Sequence, residues 1–334
     1  MKITAFTICA NNYLAHAKTL AISFKRFHPE VEFVIAILDK PDSTIQYDML
    51  GADTIIWVHE LFPDMVDTLK DTYSIAELCT VVKPQLFQYF FKIGFEAVLY
   101  IDPDIKVYSH FDEVISSLEN SEVVLTPHIC SPTGEVGHPL DKDIMRTGIY
   151  NLGFLALKKS EATQLFVKWW DKRVQKYGFH DLKKGYFFDQ IWLGFAPAFI
   201  DRVHIERHLG YNMANWNLHE RHLLSHANSY TVNTTEVPLR FFHFSHFKIE
   251  QLPVIASYNE NFDLNNRPDI APVFNEYKED LLKNGYNTLK QLLYHFGKKP
   301  ESPKPKSFKK KMQSSRPYRS LRYIKRALKV LIYG

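Results

Sequence analysis

Cysteine is scarce in this chain, with three residues in 334: Cys9, Cys79 and Cys130. They are odd in number, widely spaced and apart from any histidine cluster. Neither a disulfide framework nor a zinc site is expected, and the thiols suit a reducing cytoplasm. No stretch approaches the roughly 20 apolar residues that a membrane-spanning helix needs. The first twenty residues lack the basic start, apolar run and small-residue cleavage site of a signal peptide. Glycine is missing from the first strand-to-helix turn, FTICANNYLAH, which excludes a Gly-rich phosphate loop there. What remains is an ordinary soluble composition, 46% apolar and 23% charged, long enough for one large α/β domain or two medium ones.

The net charge of +4 hides an asymmetry. From Lys298 to Gly334 there are 13 Lys/Arg against one acid, Glu301, a net of +12, while the remaining chain carries 28 basic and 36 acidic residues, a net of −8. A mildly acidic body therefore precedes a strongly basic tail, and the whole is not read as a nucleic-acid binder. The tail divides in two. Residues 298–315 hold prolines and lysines without an apolar anchor, and they read as a disordered basic linker. Residues 316–334 recover periodicity: Leu321, Ile324, Leu328 and Leu331 share one helical face, and Arg319, Arg322, Lys325, Arg326 and Lys329 cover the others. Such a basic amphipathic helix lies well on an anionic membrane surface, and docking to an acidic partner protein is the second reading.

Along the body the pattern alternates strand and helix, which predicts an α/β fold with a mostly parallel, doubly wound sheet. Strands are expected at 3–9, 32–38, 54–58, 97–101, 122–126 and 149–157. Helices are expected at 13–27, from Pro84 to Ile93 with Gly94 as its stop, and at 161–176 behind a Ser160 cap.

The most informative residues are Asp102 and Asp104, one apart, just past the apolar strand AVLYI. Ligands bind beyond the carboxyl ends of strands in open α/β sheets. Two carboxylates there are expensive unless a cation relieves them, and hard oxygen ligands suit Mg²⁺ or Mn²⁺. His243 and His246 lie in the aromatic run RFFHFSHFK with Lys248 behind them. Mn²⁺ tolerates one imidazole beside carboxylates, and a lysine can neutralise a departing phosphate. Asp189 and Gln190 lead into a helical segment, so the aspartate is a general base, a charge stabiliser or a plain helix cap. Asn151, two residues before Gly153 in an apolar strand, needs a partner, either a ligand hydroxyl or a neighbouring backbone. The segment 212–221 offers Trp216 as a stacking face and Asn217, His219 and Arg221 as hydrogen-bonding groups for a sugar, or it is a capped surface helix.

In their order these motifs resemble nucleotide-sugar glycosyltransferases of the GT-A fold, the family 8 retaining enzymes in particular. The shared sequence is an N-terminal βαβ unit, a strand leading into D-x-D, an N-x-G strand, an Asp-Gln pair and a late His followed by Lys. The likeness spans about residues 1–250, and the stretch GYNMANWNLHER followed by FFHFS also looks like bacterial surface-polysaccharide glycosyltransferases. The family's ending is typically His-x-x-Gly-x-x-Lys-Pro-Trp. Here His246 stands for the Gly, Lys248 comes one residue early and no Pro-Trp follows.

The resemblance implies a GT-A catalytic domain over 1–260 with a helical extension over 261–297. Asp102, Asp104 and His243 would hold the metal and Lys248 the phosphates. Thr7, Ala10, Asn11 and Asp39 would hold base and ribose, with Lys83 reaching the same nucleotide. Asn151, Asp189 and Gln190 would line the sugar pocket. The implied partners are a nucleotide-sugar donor, UDP-sugar favoured, and a glycan or lipid-linked acceptor, at the inner face of the cytoplasmic membrane. Retention is favoured; in an inverting enzyme Asp189 would serve as general base. Two other readings stand beside it: a nucleotidyltransferase making a sugar nucleotide, and a non-catalytic binding module.

Overall fold

The computed structural model describes residues 1–135, 139–227, 229–259 and 261–299. The linker and amphipathic helix expected over 298–315 and 316–334 lie, but for Lys298 and Lys299, outside the described residues. A seven-stranded sheet is built from β1 (Ile3–Cys9), β2 (Glu32–Ile37), β3 (Thr54–Trp57), β4 (Ala97–Ile101), β6 (Val123–Pro127), β7 (Tyr150–Lys158) and the strand Val203–Ile205; the short β5 (Ile105–Val107) lies outside it. The order across the sheet is Val203–Ile205, β6, β7, β4, β1, β2, β3. The fold is α/β, with helices on both faces.

Alternation along β1 sends Phe6 and Ile8 to one face and Ala5 and Cys9 to the other. Both faces are covered, which is why the strands read as near-continuous apolar runs. On one face the helix Leu14–Phe27 lays down Leu14, Ala17, Leu20, Ala21 and Phe24 at helical spacing. On the other, the helices Lys83–Lys92 and Glu161–Tyr177 contribute Leu86, Phe87, Phe90 and Trp170. Phe6 is centred 5.2 Å from the rings of Phe87, Phe90 and Tyr100. Its truncation to alanine would cost about 3–5 kcal/mol. Gly94 takes a φ of 102° just past the helix Lys83–Lys92, the left-handed position that glycine fills without strain.

The sheet is mostly parallel, as expected, with one strand reversed within it. The sheet is mixed: β7 runs antiparallel to both β4 and β6, while the other pairs are parallel. A strand buried on both faces carries no polar–apolar alternation, so its sequence says nothing about its direction. The reversal has a consequence for the site. The start of β7, with Asn151, comes to the same edge as the carboxyl end of β4, with Asp102.

A second, three-stranded sheet joins Met213–Ala214, Phe241–His243 and β5, the last pair antiparallel with His243 opposite Ile105. The helix Ala271–Lys283 closes over it. Phe242, Phe244 and Phe274 form one cluster with Tyr277, whose ring stacks on Phe244 at 3.8 Å. Residues 261–297, expected as an extension, are thus packed into the same compact unit, Met1–Lys298. Among the described residues no helix is long and apolar enough to cross a membrane.

Candidate active site

Asp102 and Asp104 sit on the corner where the chain leaves the large sheet at β4 and enters the small one at β5. The corner is held by backbone bonds: Asp102 N–H donates to the Gly153 carbonyl (2.7 Å), Ile105 N–H to that of Asp102 (3.1 Å) and Phe244 N–H to that of Asp104 (2.9 Å). The pairing of β5 with Phe241–His243 then delivers the imidazole. His243 Nε2 lies 3.1 Å from Asp104 Oδ1 and 3.6 Å from Asp102 Oδ2. One ligand atom from each of the three side chains falls within 4.8 Å of the others.

The electrostatics follow from that crowding. Burial pushes the Asp102 carboxyl above its ordinary value, against the pull of Lys83 and His243. Burial also opposes ionisation of Asp104, but the charge and hydrogen bond of His243 outweigh it and leave that carboxyl below its ordinary value. The His243 imidazole is disfavoured as a cation by burial, yet Asp104 and Asp102 together raise its pKa. Tyr100 donates its phenol to Asp102 Oδ1. Two carboxylate oxygens and one imidazole nitrogen, converging on one point and partly exposed, fit a hard to borderline divalent ion such as Mn²⁺ or Mg²⁺.

These three residues line a cavity of about 600 Å³. Lys83, Asn151, Gly153, Asp189, Gln190 and Trp216 line it too, together with Arg146, His180, Phe187 and Phe188. Lys83 does not stand free for a nucleotide. Its ammonium is buried, lies 2.7 Å from Asp189 Oδ2 and sits 3.9 Å above the Tyr100 ring. Asp189 precedes the 3₁₀ segment Gln190–Phe195 without capping it, and burial, partly offset by Lys83, raises its pKa. Breaking such a buried pair leaves an uncompensated charge.

Gln190 and Asn151, expected to contact a sugar, have their amides engaged by the protein. Gln190 Oε1 accepts from Leu152 N–H (2.9 Å) and its Nε2 donates to the Thr147 carbonyl (2.8 Å). Asn151 lies between Gln190, His128 and His243.

The expected nucleoside end is built apart from this cavity. Thr7 is fully buried in β1, and among the described residues its hydroxyl has no hydrogen-bond partner. Ala10 is buried and opens the short 3₁₀ turn Asn11–Tyr13. Asn11 donates to the Lys40 carbonyl and accepts from the Tyr47 hydroxyl. Asp39 is 0% exposed. It accepts from Asn11 N–H on Oδ2 and from Lys40 N–H, His295 N–H and the His295 ring on Oδ1, so its carboxylate is engaged by its own chain. Lys248 is exposed and outside the cavity lining, whereas its neighbour His246 is part of it.

In the segment 212–221 only Trp216 lines the cavity, its ring edge-on to His243 at 5.2 Å. Asn217 and Arg221 are buried and spend their donors on backbone carbonyls of 128, 209, 211 and 212. His219 stands 3.3 Å from the Ser131 carbonyl. The segment forms neither an open acceptor surface nor a capped surface helix.

Four contributors escaped the sequence reading. Tyr100 lies inside AVLYI, where its phenol was masked by an apolar run. His128 follows β6 without any motif. Tyr13 and His16 stack at 3.8 Å, and the Asp104 charge acts on both.

No family model matches the chain. It is 24% identical over 279 residues to the uncharacterized protein YfnF of Bacillus subtilis, spanning 82% of this chain and 90% of that one. Its structural neighbours are glycosyltransferases. They include the galactosyltransferase LgtC in complex with donor and acceptor sugar analogs (TM-score 0.45, 15% identity, 84% of this chain and 95% of that one). They also include the glycosyltransferase GlyE of Streptococcus pneumoniae (TM-score 0.48, 13% identity, 86% and 64%). At this level the likeness is one of overall outline.

Proposed function

We propose that the chain is a metal-dependent glycosyltransferase that moves a sugar from a nucleotide-diphosphate sugar, UDP-sugar favoured, to a glycan or lipid-linked acceptor. The observation that carries this reading is the convergence of Asp102, Asp104 and His243 within 4.8 Å on the wall of a sugar-sized cavity. Glycosyl–phosphate cleavage builds negative charge on the leaving diphosphate and positive charge on the sugar ring. A divalent cation held by the three residues supplies positive charge for the first.

The chain's own groups answer the second. Asp189, kept beside Lys83 in the cavity wall, places a carboxylate where an oxocarbenium-like ring would sit, while Trp216 and Phe187 offer apolar faces to a pyranose. Gln190 and Asn151 act through the backbone and through His243 rather than on the sugar. The nucleoside is assigned toward the carboxyl ends of β1 and β2, beyond Tyr13 and His16. Lys248 is left out of the set. Retention remains favoured, with Asp189 orienting the donor. The setting is bacterial surface-polysaccharide synthesis on the cytoplasmic side of the membrane, with residues 316–334 as the membrane contact.

The test is a thermal-shift and donor-hydrolysis panel on the full chain. Stabilisation by a nucleoside diphosphate only with Mn²⁺, and slow donor hydrolysis that disappears in Asp104→Ala, are expected. Binding without turnover sinks the enzyme reading in favour of a binding module. Pyrophosphate release from a nucleoside triphosphate points to a nucleotidyltransferase instead.

A further inference from the structure

Three side chains behind His243 have hydrogen-bond polarities that the backbone dictates. Carbonyl oxygens only accept and amide N–H groups only donate, so a network anchored on them can be read outward without assuming any tautomer. Gln190 Nε2 donates to the Thr147 carbonyl (2.8 Å), and its Oε1 accepts from Leu152 N–H (2.9 Å). That same Oε1 lies 3.3 Å from Asn151 Nδ2, which must donate to it.

His128 gives a second anchor. Its Nδ1 is 3.3 Å from the Ile149 carbonyl and therefore carries the proton. Burial keeps this ring neutral, with its pKa pushed down to about 4. Its Nε2 is then a lone pair, and it accepts from Asn151 Nδ2 at 3.2 Å. Both hydrogens of the Asn151 amide are now assigned, and the amide cannot flip. Asn151 Oδ1 accepts from Gly153 N–H (3.1 Å) and faces His243 Nδ1 at 3.2 Å. An oxygen facing a ring nitrogen at that distance requires a proton on the nitrogen, so Nδ1 donates to Asn151; Nε2, 3.1 Å from Asp104 Oδ1, donates likewise until a metal takes that proton's place.

A steric observation points to the same ring placement. A Cβ on Gly153 would lie 2.4 Å from His243 Cε1 and 2.6 Å from its Nδ1. The glycine leaves the space that the imidazole occupies.

We propose that Asn151 is a positioning residue that holds His243 with its proton on Nδ1 and thereby presents Nε2 to the two carboxylates, with Gln190 and His128 fixing the amide and Gly153 giving the ring its room. The N-x-G strand is thus the support of the metal ligand rather than a sugar-binding strand. This rests on the metal reading above. Ligand histidines held at the second nitrogen are oriented and made more basic, and loss of the holder lowers metal affinity about 10- to 100-fold.

The experiment is Mn²⁺ titration of the full chain without nucleotide, followed by electron paramagnetic resonance. Affinity is read from free Mn²⁺, and the coordinated imidazole from its nitrogen coupling in the pulsed spectrum. The unsubstituted protein is expected to bind Mn²⁺ with one imidazole nitrogen coupled. Asn151→Leu is expected to lower affinity about 10- to 100-fold and to lose that coupling. Gly153→Ala, whose Cβ would press on the ring and also on Asn151 Oδ1 at 2.8 Å, is expected to do the same, and it decides the matter if the leucine variant does not fold. Folded variants that keep the unsubstituted affinity and coupling overturn the proposal, as does an affinity loss with the nitrogen coupling intact. If the unsubstituted protein shows no imidazole-coupled Mn²⁺, the metal reading fails and this inference fails with it.

Discussion

Asp39 and Asp102 occupy equivalent places, each just past a parallel strand of the same sheet at its carboxyl end. Their surroundings differ. Asp39 is fully buried and receives four N–H donors from its own chain, two of them from His295 in the last described segment. Asp102 and Asp104 keep 28% and 16% of their side-chain surface, stand beside each other, and turn toward a cavity. The lesson is that topology nominates a carboxylate and donor count decides its role. A buried carboxylate with four donors is a fastening, while an undersupplied pair facing a cavity is a candidate ligand site.

The largest effect that tests this contrast falls on the cavity side. Lys83→Met removes the only basic partner of Asp189 among the described residues and leaves a buried carboxylate without its counter-charge. Unfolding in urea is expected to show a loss of about 3–5 kcal/mol. A loss below 1 kcal/mol would mean that the pair is not held apart from water. Next, Asp104→Asn is expected to cut metal-dependent donor turnover about 100- to 1000-fold with little change in melting temperature. Asp39→Asn should do the reverse, lowering the melting temperature and leaving Mn²⁺ affinity alone. Equal metal dependence in both variants would erase the distinction.

A smaller effect is expected at the fastening itself. His295→Ala removes one of the four donors to Asp39 from a half-exposed ring. About 1 kcal/mol should be lost, because three backbone donors remain. The smallest effect is a pH slope. Burial, and His110 secondarily, push the His28 pKa down to about 4, and the ring accepts from Phe111 N–H as a neutral base. The ordinary value is about 6.5, so between those two pH values the unfolded chain binds the proton first. The stability from this group is whole above about pH 6.5 and is lost as the pH falls toward 4. In His28→Gln the amide oxygen can still accept that bond, and the melting temperature should fall less steeply over the same range.

The sequence made much of the sheet legible because apolar runs mark buried strands directly. β1 and β4 lie at the residues expected, and the helices Leu14–Phe27 and Glu161–Tyr177 start or end one residue away. The short β5 was missed because three residues after Asp-Pro-Asp look like a turn. The acid pair was legible from its place after an apolar strand, and His243 from its setting among aromatics. Partnerships were not legible. Lys83 with Asp189, His295 with Asp39, and Asn151 with His128 join groups far apart in the chain, and Lys83, Asp189, Asp39 and Asn151 each read alone as a ligand contact. The fold spends all three on itself.

Because β5 meets Phe241–His243 only after most of the chain has been laid down, the imidazole is a late arrival at Asp102 and Asp104. A nascent polypeptide halted before residue 241 presents two neighbouring carboxylates with nothing to grip an ion between them. On the proposed metal reading, ion capture would belong to the finished architecture, slowing escape from the native basin rather than hastening entry into it.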